Sequence, residues 1–138
     1  MSVAPDDSGP PFAVGPITRT DIVRYAGASG DFNPIHHDEP FAQSAGLPSV
    51  MAHGMLSAGI LASFVTRWFG AGTVRRYKVR FRERVWPGDM LQAEGRVSRV
   101  FDSGGERRAE LDLTLRRQDG QPVVTGTAEV VCVDGRKD

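Results

Sequence analysis

The densest run of titratable side chains in this sequence of 138 residues is Gly30-Asp31-Phe32-Asn33-Pro34-Ile35-His36-His37-Asp38. Three chemistries are open to it. Asp and Asn beside proline are ordinary turn formers, so the run can be a solvated loop and nothing more. Asp31, His36, His37, Asp38 and the more distant His53 are also ligand types that zinc or iron accepts. Against a metal, adjacent His36 and His37 in an extended loop point to opposite sides, and no Glu-flanked helical histidine pair is present. The third chemistry is general acid/base catalysis, because Asp31 and His36 are five residues apart across a proline turn that folds both side chains toward one spot. Histidine titrates near neutrality, and a neighbouring carboxylate fixes its tautomer and raises its basicity. Such a pair is suited to holding a water.

Elements on either side must position this loop. Before it, Thr18 or Thr20 caps an expected helix that carries Ile22, Val23 and Tyr25 and ends in the Gly27–Gly30 segment. Asn33-Pro34 and Glu39-Pro40 keep the next stretch out of the helical region, and a brief helix over Glu39–Ala45 is closed by Gly46. After it, Met55–Phe69 places apolar residues around nearly the whole helical circumference, the pattern of a buried helix. The second half supplies a wrapping. Tyr77, Val79 and Phe81 alternate with Lys78, Arg80 and Arg82; Leu91 to Val97 and Leu111 to Leu115 repeat the pattern, and Val124–Val133 forms a last run. Pro87-Gly88-Asp89, Ser103-Gly104-Gly105 and Asp119-Gly120 mark the turns, and a further strand is expected near Phe12–Val14. The fold class read from this is α+β, a curved antiparallel sheet around one long apolar helix.

The run Tyr25-x5-Asp31-x-Asn33-Pro34-x-His36-x-Asp38, followed by Ala52-His53-Gly54-Met55 opening the apolar helix, closely resembles the MaoC-like dehydratases. That group includes the (R)-specific enoyl-CoA hydratases and the dehydratase subunits of fatty-acid elongation. The resemblance implies a hot-dog fold and reversible addition of water to a trans-2-enoyl thioester, giving the (R)-3-hydroxyacyl thioester. It implies that Asp31 and His36 activate the water and that the Gly54 N–H polarises the thioester carbonyl. A helix N-terminus suits that role, since its N–H groups are unpaired and its dipole favours negative charge. Asn33, His53 and Met55 are expected to contact the substrate or shape the loop that does, Asp38 to cap the next helix, and His37 to face away. Relatives often carry a serine two turns into the helix where this sequence has Ala62, with Ser63 about 100° away. No cofactor is implied beyond coenzyme A or an acyl carrier protein as the thioester's carrier. A homodimer is expected, and the alternative is a binding subunit that needs a second hot-dog partner to act. Thioester hydrolysis on the same fold is disfavoured by the hydration motif.

Composition narrows the rest. With 17 Lys plus Arg against 17 Asp plus Glu the formal net charge is zero, which argues against a dedicated nucleic-acid binder. The local surplus from Arg75 to Arg84 reads as a solvated strand face or as a contact for coenzyme A phosphates or an acidic carrier protein. No apolar run reaches the roughly 18 to 20 residues that span a bilayer, so a soluble, cytoplasmic protein without membrane partners is expected. The one cysteine, Cys132, lies among valines and reads as a small buried hydrophobe. Residues 1–11, rich in Pro, Asp, Ser and Gly, are expected as a mobile tail, and 12–134 as a single domain.

Overall fold

The structure, a computed structural model, describes residues 2–133; positions 1 and 134, at the outer ends of the expected tail and domain, lie outside them. Five strands form one antiparallel sheet in the order β1-β3-β4-β5-β2: β1 (Phe12–Val14), β2 (Val74–Phe81), β3 (Leu91–Ser103), β4 (Glu106–Arg117) and β5 (Pro122–Val131). Helices α1 (Arg19–Ser29), α2 (Glu39–Ser44) and α3 (Gly54–Phe69) and a 3-10 turn over Pro34–His36 fill the chain between β1 and β2. This is the hot-dog arrangement that the resemblance implies.

Alternation of apolar and polar residues decides which face of the sheet meets α3. Leu111, Leu113 and Leu115 of β4 and Val97 of β3 turn inward and are at most 3% exposed. They meet Leu61, Phe64, Val65 and Phe69 of α3 in one core. Phe64 is wholly buried, and burial of a side chain that size stabilises by about 1.5–3 kcal/mol. The phenol of Tyr77 on β2 donates to the Ala58 carbonyl at 2.6 Å, tying the edge strand to the helix, and burial pushes that phenol up to about 12.

Three expectations need correction. Apolar residues on nearly every side of α3 suggest burial all round, yet Met55, Gly59 and Ser63, spaced four apart, form an open stripe with Met55 59% exposed. The sheet covers only the side that faces it; Leu56 and Ile60 beside the stripe are half-buried. The tail also differs. Asp6 N–H donates to the Val97 carbonyl and Gly9 N–H to the Gly95 carbonyl, at 2.8 and 2.9 Å, so residues 6–9 run along β3 beyond β1. Gly9 and Gly95 make this possible, because a Cβ at either would collide with the rings of Phe64 and Trp68. Cys132, expected to be buried, is half-buried against the core. Among the described residues no helix is long and apolar enough to cross a membrane.

Candidate active site

The loop enters the site where α1 stops. Thr18 Oγ1 accepts from the Asp21 N–H and the Asp21 carboxylate accepts from the Thr18 N–H, a reciprocal cap that fixes the helix start. Gly30, at φ 74°, ends the helix in the left-handed conformation that glycine adopts without strain. Asp31 follows, and its Oδ1 accepts from the Asn33 N–H at 3.2 Å. Asn33 then accepts from the Ile35 N–H at 3.2 Å, capping the Pro34–His36 turn. Two successive side chain to backbone turns thus curl five residues tightly enough to bring Asp31 and His36 to one place. Asp38 caps α2, accepting from the Phe41 N–H at 3.1 Å. The His37 ring turns back to the Phe32 carbonyl, 3.1 Å from Nε2, in an exposed position.

His36 is the buried member, 6% exposed, and its Nδ1 lies 2.6 Å from the Met51 carbonyl oxygen. A carbonyl only accepts, so Nδ1 carries the proton and Nε2 of the neutral ring presents its lone pair. That lone pair faces Asp31 Oδ2 at 3.8 Å, with the carboxylate half open to solvent. The gap is too long for a direct hydrogen bond, and a point about 2.8 Å from both atoms exists. Two acceptors that face each other across such a gap are matched by one molecule that donates twice: water.

His53, from the residue before α3, holds the arrangement from behind. It is 2% exposed, and Nε2 lies 3.0 Å from the Asp31 carbonyl oxygen, so Nε2–H donates and pins the loop backbone. Its ring stacks on His36 with centroids 3.7 Å apart and planes 21° apart, and the Tyr25 ring packs edge-on against its other side at 4.9 Å. Asp31, His36 and His53 present donor atoms within 4.8 Å of one another, the spacing of a metal centre. The stack does not suit a shared cation: imidazole lone pairs lie in their ring planes, so an ion in line with one stacked ring sits off the plane of the other.

Burial pushes the His36 imidazole below its ordinary value of 6.5, the Met51 carbonyl opposes that shift, and the His53 ring adds to it. The ring is therefore neutral at pH 7. With His36 as base, kcat/KM is expected to be flat above pH 6.5 and to fall through an apparent pKa below that value, measured as a pH–rate profile. Folding stability follows the same sense, because the unfolded chain binds this proton more readily: the contribution is full above 6.5 and declines as pH drops toward the folded-state value.

Gly54 opens α3, so its N–H and that of Met55 have no carbonyl a turn earlier to bond. Both Gly54 and Met51 line a cleft of about 420 Å³ whose other wall is residues 81–85 with Val123 and Val124. The His36 tether and the helix N-terminus thus border one cavity. Ser57 is a residue that sequence reasoning missed. It lies three positions after Gly54, on the same face of the first turn, is buried, and lines the cleft. Ser63, in contrast, donates back to the Gly59 carbonyl at 3.0 Å on the exposed stripe, and Ala62 beside it is half-buried. Of the expected substrate contacts, Asn33 is engaged in its turn, His53 faces inward, and Met55 stands exposed at the start of α3.

A long helix wrapped by an antiparallel sheet, with an Asp–His pair beside the helix's open N-terminus, defines a hot-dog fold. The chain belongs to the MaoC-like family: the family's "MaoC like domain" matches residues 9–115. It is 40% identical over 120 residues to 3-hydroxyacyl-thioester dehydratase X of Mycobacterium tuberculosis, covering 86% of this chain and 39% of that protein. The chain thus spans about two fifths of the length of this longer relative. It is 32% identical over 117 residues to the (R)-specific enoyl-CoA hydratase of Rhodospirillum rubrum, covering 83% of this chain and 79% of that one. The solved R-hydratase PhaJ1 of Pseudomonas aeruginosa superposes with a TM-score of 0.84 at 27% identity, over 96% of this chain and 84% of that one.

Proposed function

We propose that this protein reversibly adds water to trans-2-enoyl thioesters to form (R)-3-hydroxyacyl thioesters. The observation that carries the reading is the pair of facing acceptors, Asp31 Oδ2 and His36 Nε2, 3.8 Å apart beside the first turn of α3. In the hydration direction the water oxygen bonds to the β-carbon and the π electrons move toward the thioester carbonyl. One water proton passes to the Asp31–His36 pair, and a proton from that pair closes the α-carbon. The Gly54 N–H, aided by the helix dipole, stabilises the negative charge that gathers on the carbonyl oxygen. The reaction is redox-neutral, so acid/base groups and one polarising donor suffice for it. His53 acts here as a positioning residue, through the Asp31 backbone and the His36 ring.

The test is direct. Purified protein is incubated alone with a short trans-2-enoyl-CoA, loss of the conjugated enoyl absorbance is followed, and the product's configuration is determined. The (R)-3-hydroxyacyl thioester is expected. Free acid with released coenzyme A, or no product until a second hot-dog subunit is added, overturns autonomous hydration.

Two physical features support pairing of two copies. Among the described residues β2 bonds only to β5 and leaves an open sheet edge, and α3 carries the open stripe headed by Met55 next to half-buried Leu56 and Ile60. Open edges and apolar stripes are surfaces that proteins cover. Sedimentation is expected to give a dimer at micromolar concentration, and an active monomer would contradict it.

A further inference from the structure

We infer that Arg82 and Arg84, on the rim of the Gly54 cleft, bind the terminal phosphate of the substrate's pantetheine arm. The inference rests on the thioester reading above. Gly54 and Ser57 stand at the reacting end of the cleft, and Arg82 and Arg84 lie in the opposite wall. Phe81, also in the lining and about half exposed, offers apolar surface to the arm's gem-dimethyl carbon, while Val85, Val123 and Val124 are buried in the wall. Glu83 also lines the cleft, which leaves this wall with one net positive charge.

That wall is built, not loose. The Arg82 and Glu83 N–H groups donate to the Val123 carbonyl at 2.9 and 3.4 Å, and the Val85 carbonyl accepts from Ala52 N–H at 2.8 Å. Arg117, whose side chain is only 15% exposed, donates from Nη1 to the Arg84 carbonyl at 3.0 Å. Among the described residues neither guanidinium that this backbone presents is paired with a carboxylate. Arg75, Arg99 and Arg116 of the sheet each hold a carboxylate, Glu106, Glu110 and Glu94. Arg82 uses only Nε, on Thr125 at 3.1 Å, and among the described residues Arg84 has no partner for its guanidinium. Two forked donors on the wall of this cleft, one of them with no internal role, match a phosphate at the end of a pantetheine arm. The site is specific for the phosphate that coenzyme A and a carrier protein's prosthetic arm share.

The experiment compares an enoyl-pantetheine with its 4′-phosphorylated form, which differ by that group alone. The native protein is expected to show a KM about 10-fold lower for the phosphorylated thioester at equal kcat. In Arg84→Gln the preference should fall several-fold, and in Arg82→Gln with Arg84→Gln it should vanish while turnover of the unphosphorylated form is unchanged. That unchanged turnover reports an intact fold. Parallel loss with enoyl-CoA and with an enoyl carrier protein would show that both sources are read through the same phosphate. No preference in the native protein, or a preference that survives the double change, overturns the proposal. If neither thioester is hydrated, the hydratase reading fails separately, and calorimetry with coenzyme A decides the rim: binding that Arg84→Gln weakens supports it, and absent or unchanged binding overturns it.

Discussion

Asp31→Asn is expected to lower kcat for enoyl-thioester hydration by about 1000-fold with little change in KM, a loss worth about 4 kcal/mol of transition-state stabilisation. The substitution is chosen for what it keeps. An amide oxygen still accepts from the Asn33 N–H, so the turn that Asp31 Oδ1 closes at 3.2 Å survives. What disappears is the second acceptor, the Oδ2 that faces His36, and with it the negative charge beside the ring. For His36 two variants divide the role. His36→Ala removes both ring nitrogens and the Met51 tether at 2.6 Å. His36→Asn removes the position of Nε2 while its shorter amide sits near where Nδ1 donated, so the tether to the carbonyl has a replacement. Both are expected to lose about 1000-fold, because the lost Nε2 is common to them. His37→Ala is the control, since its ring faces the Phe32 carbonyl in an exposed position. It should keep near-native turnover. Near-native kcat in Asp31→Asn or His36→Asn, with circular dichroism unchanged, would remove the acid/base assignment.

Much of this arrangement was legible because short-range chemistry dictates it. Capping by Thr18, the left-handed Gly30, the Asp31 and Asn33 turns and the Asp38 cap are all local, each involving partners within four residues. Alternation gave the four long strands and their inward faces for the same reason, since a strand's two sides are set by parity alone. What stayed hidden depends on partners distant in the chain. His53 donates to the carbonyl of Asp31, 22 positions earlier, and its stack on His36 follows from where α3 begins relative to the loop. The cleft wall at residues 81–85 is brought to Gly54 by the β5 pairing and the Ala52–Val85 bond. The tail was misjudged because its composition signals poor burial, whereas its hydrogen bonds come from the β3 backbone, which sequence composition does not report. The open stripe on α3 failed for a related reason: apolar residues on a helix say that some surface will cover them, not whether that surface belongs to the same chain.

The double variant Asp31→Asn, His36→Asn is expected to be scarcely worse than the poorer single variant. Its total loss stays near 1000-fold if both groups act on one water. The geometry supplies the reason. Asp31 Oδ2 and His36 Nε2 are two acceptors 3.8 Å apart, and neither satisfies the other. A water held between them gives one hydrogen to each, and this orients its oxygen lone pair toward the substrate. Removing one acceptor frees the water to rotate, so the remaining acceptor no longer faces an aligned nucleophile and has little left to contribute. Groups that served separate steps would behave otherwise: each would lower its own barrier, their contributions would add, and the double change would cost about 8 kcal/mol, near a million-fold. The two outcomes differ by about three orders of magnitude, far beyond the error of steady-state kinetics. Product configuration in the residual reaction adds a second readout. Loss of alignment should erode the (R) preference in every variant that lacks either acceptor, whereas a million-fold loss with configuration intact in each single variant would assign Asp31 and His36 to different protons.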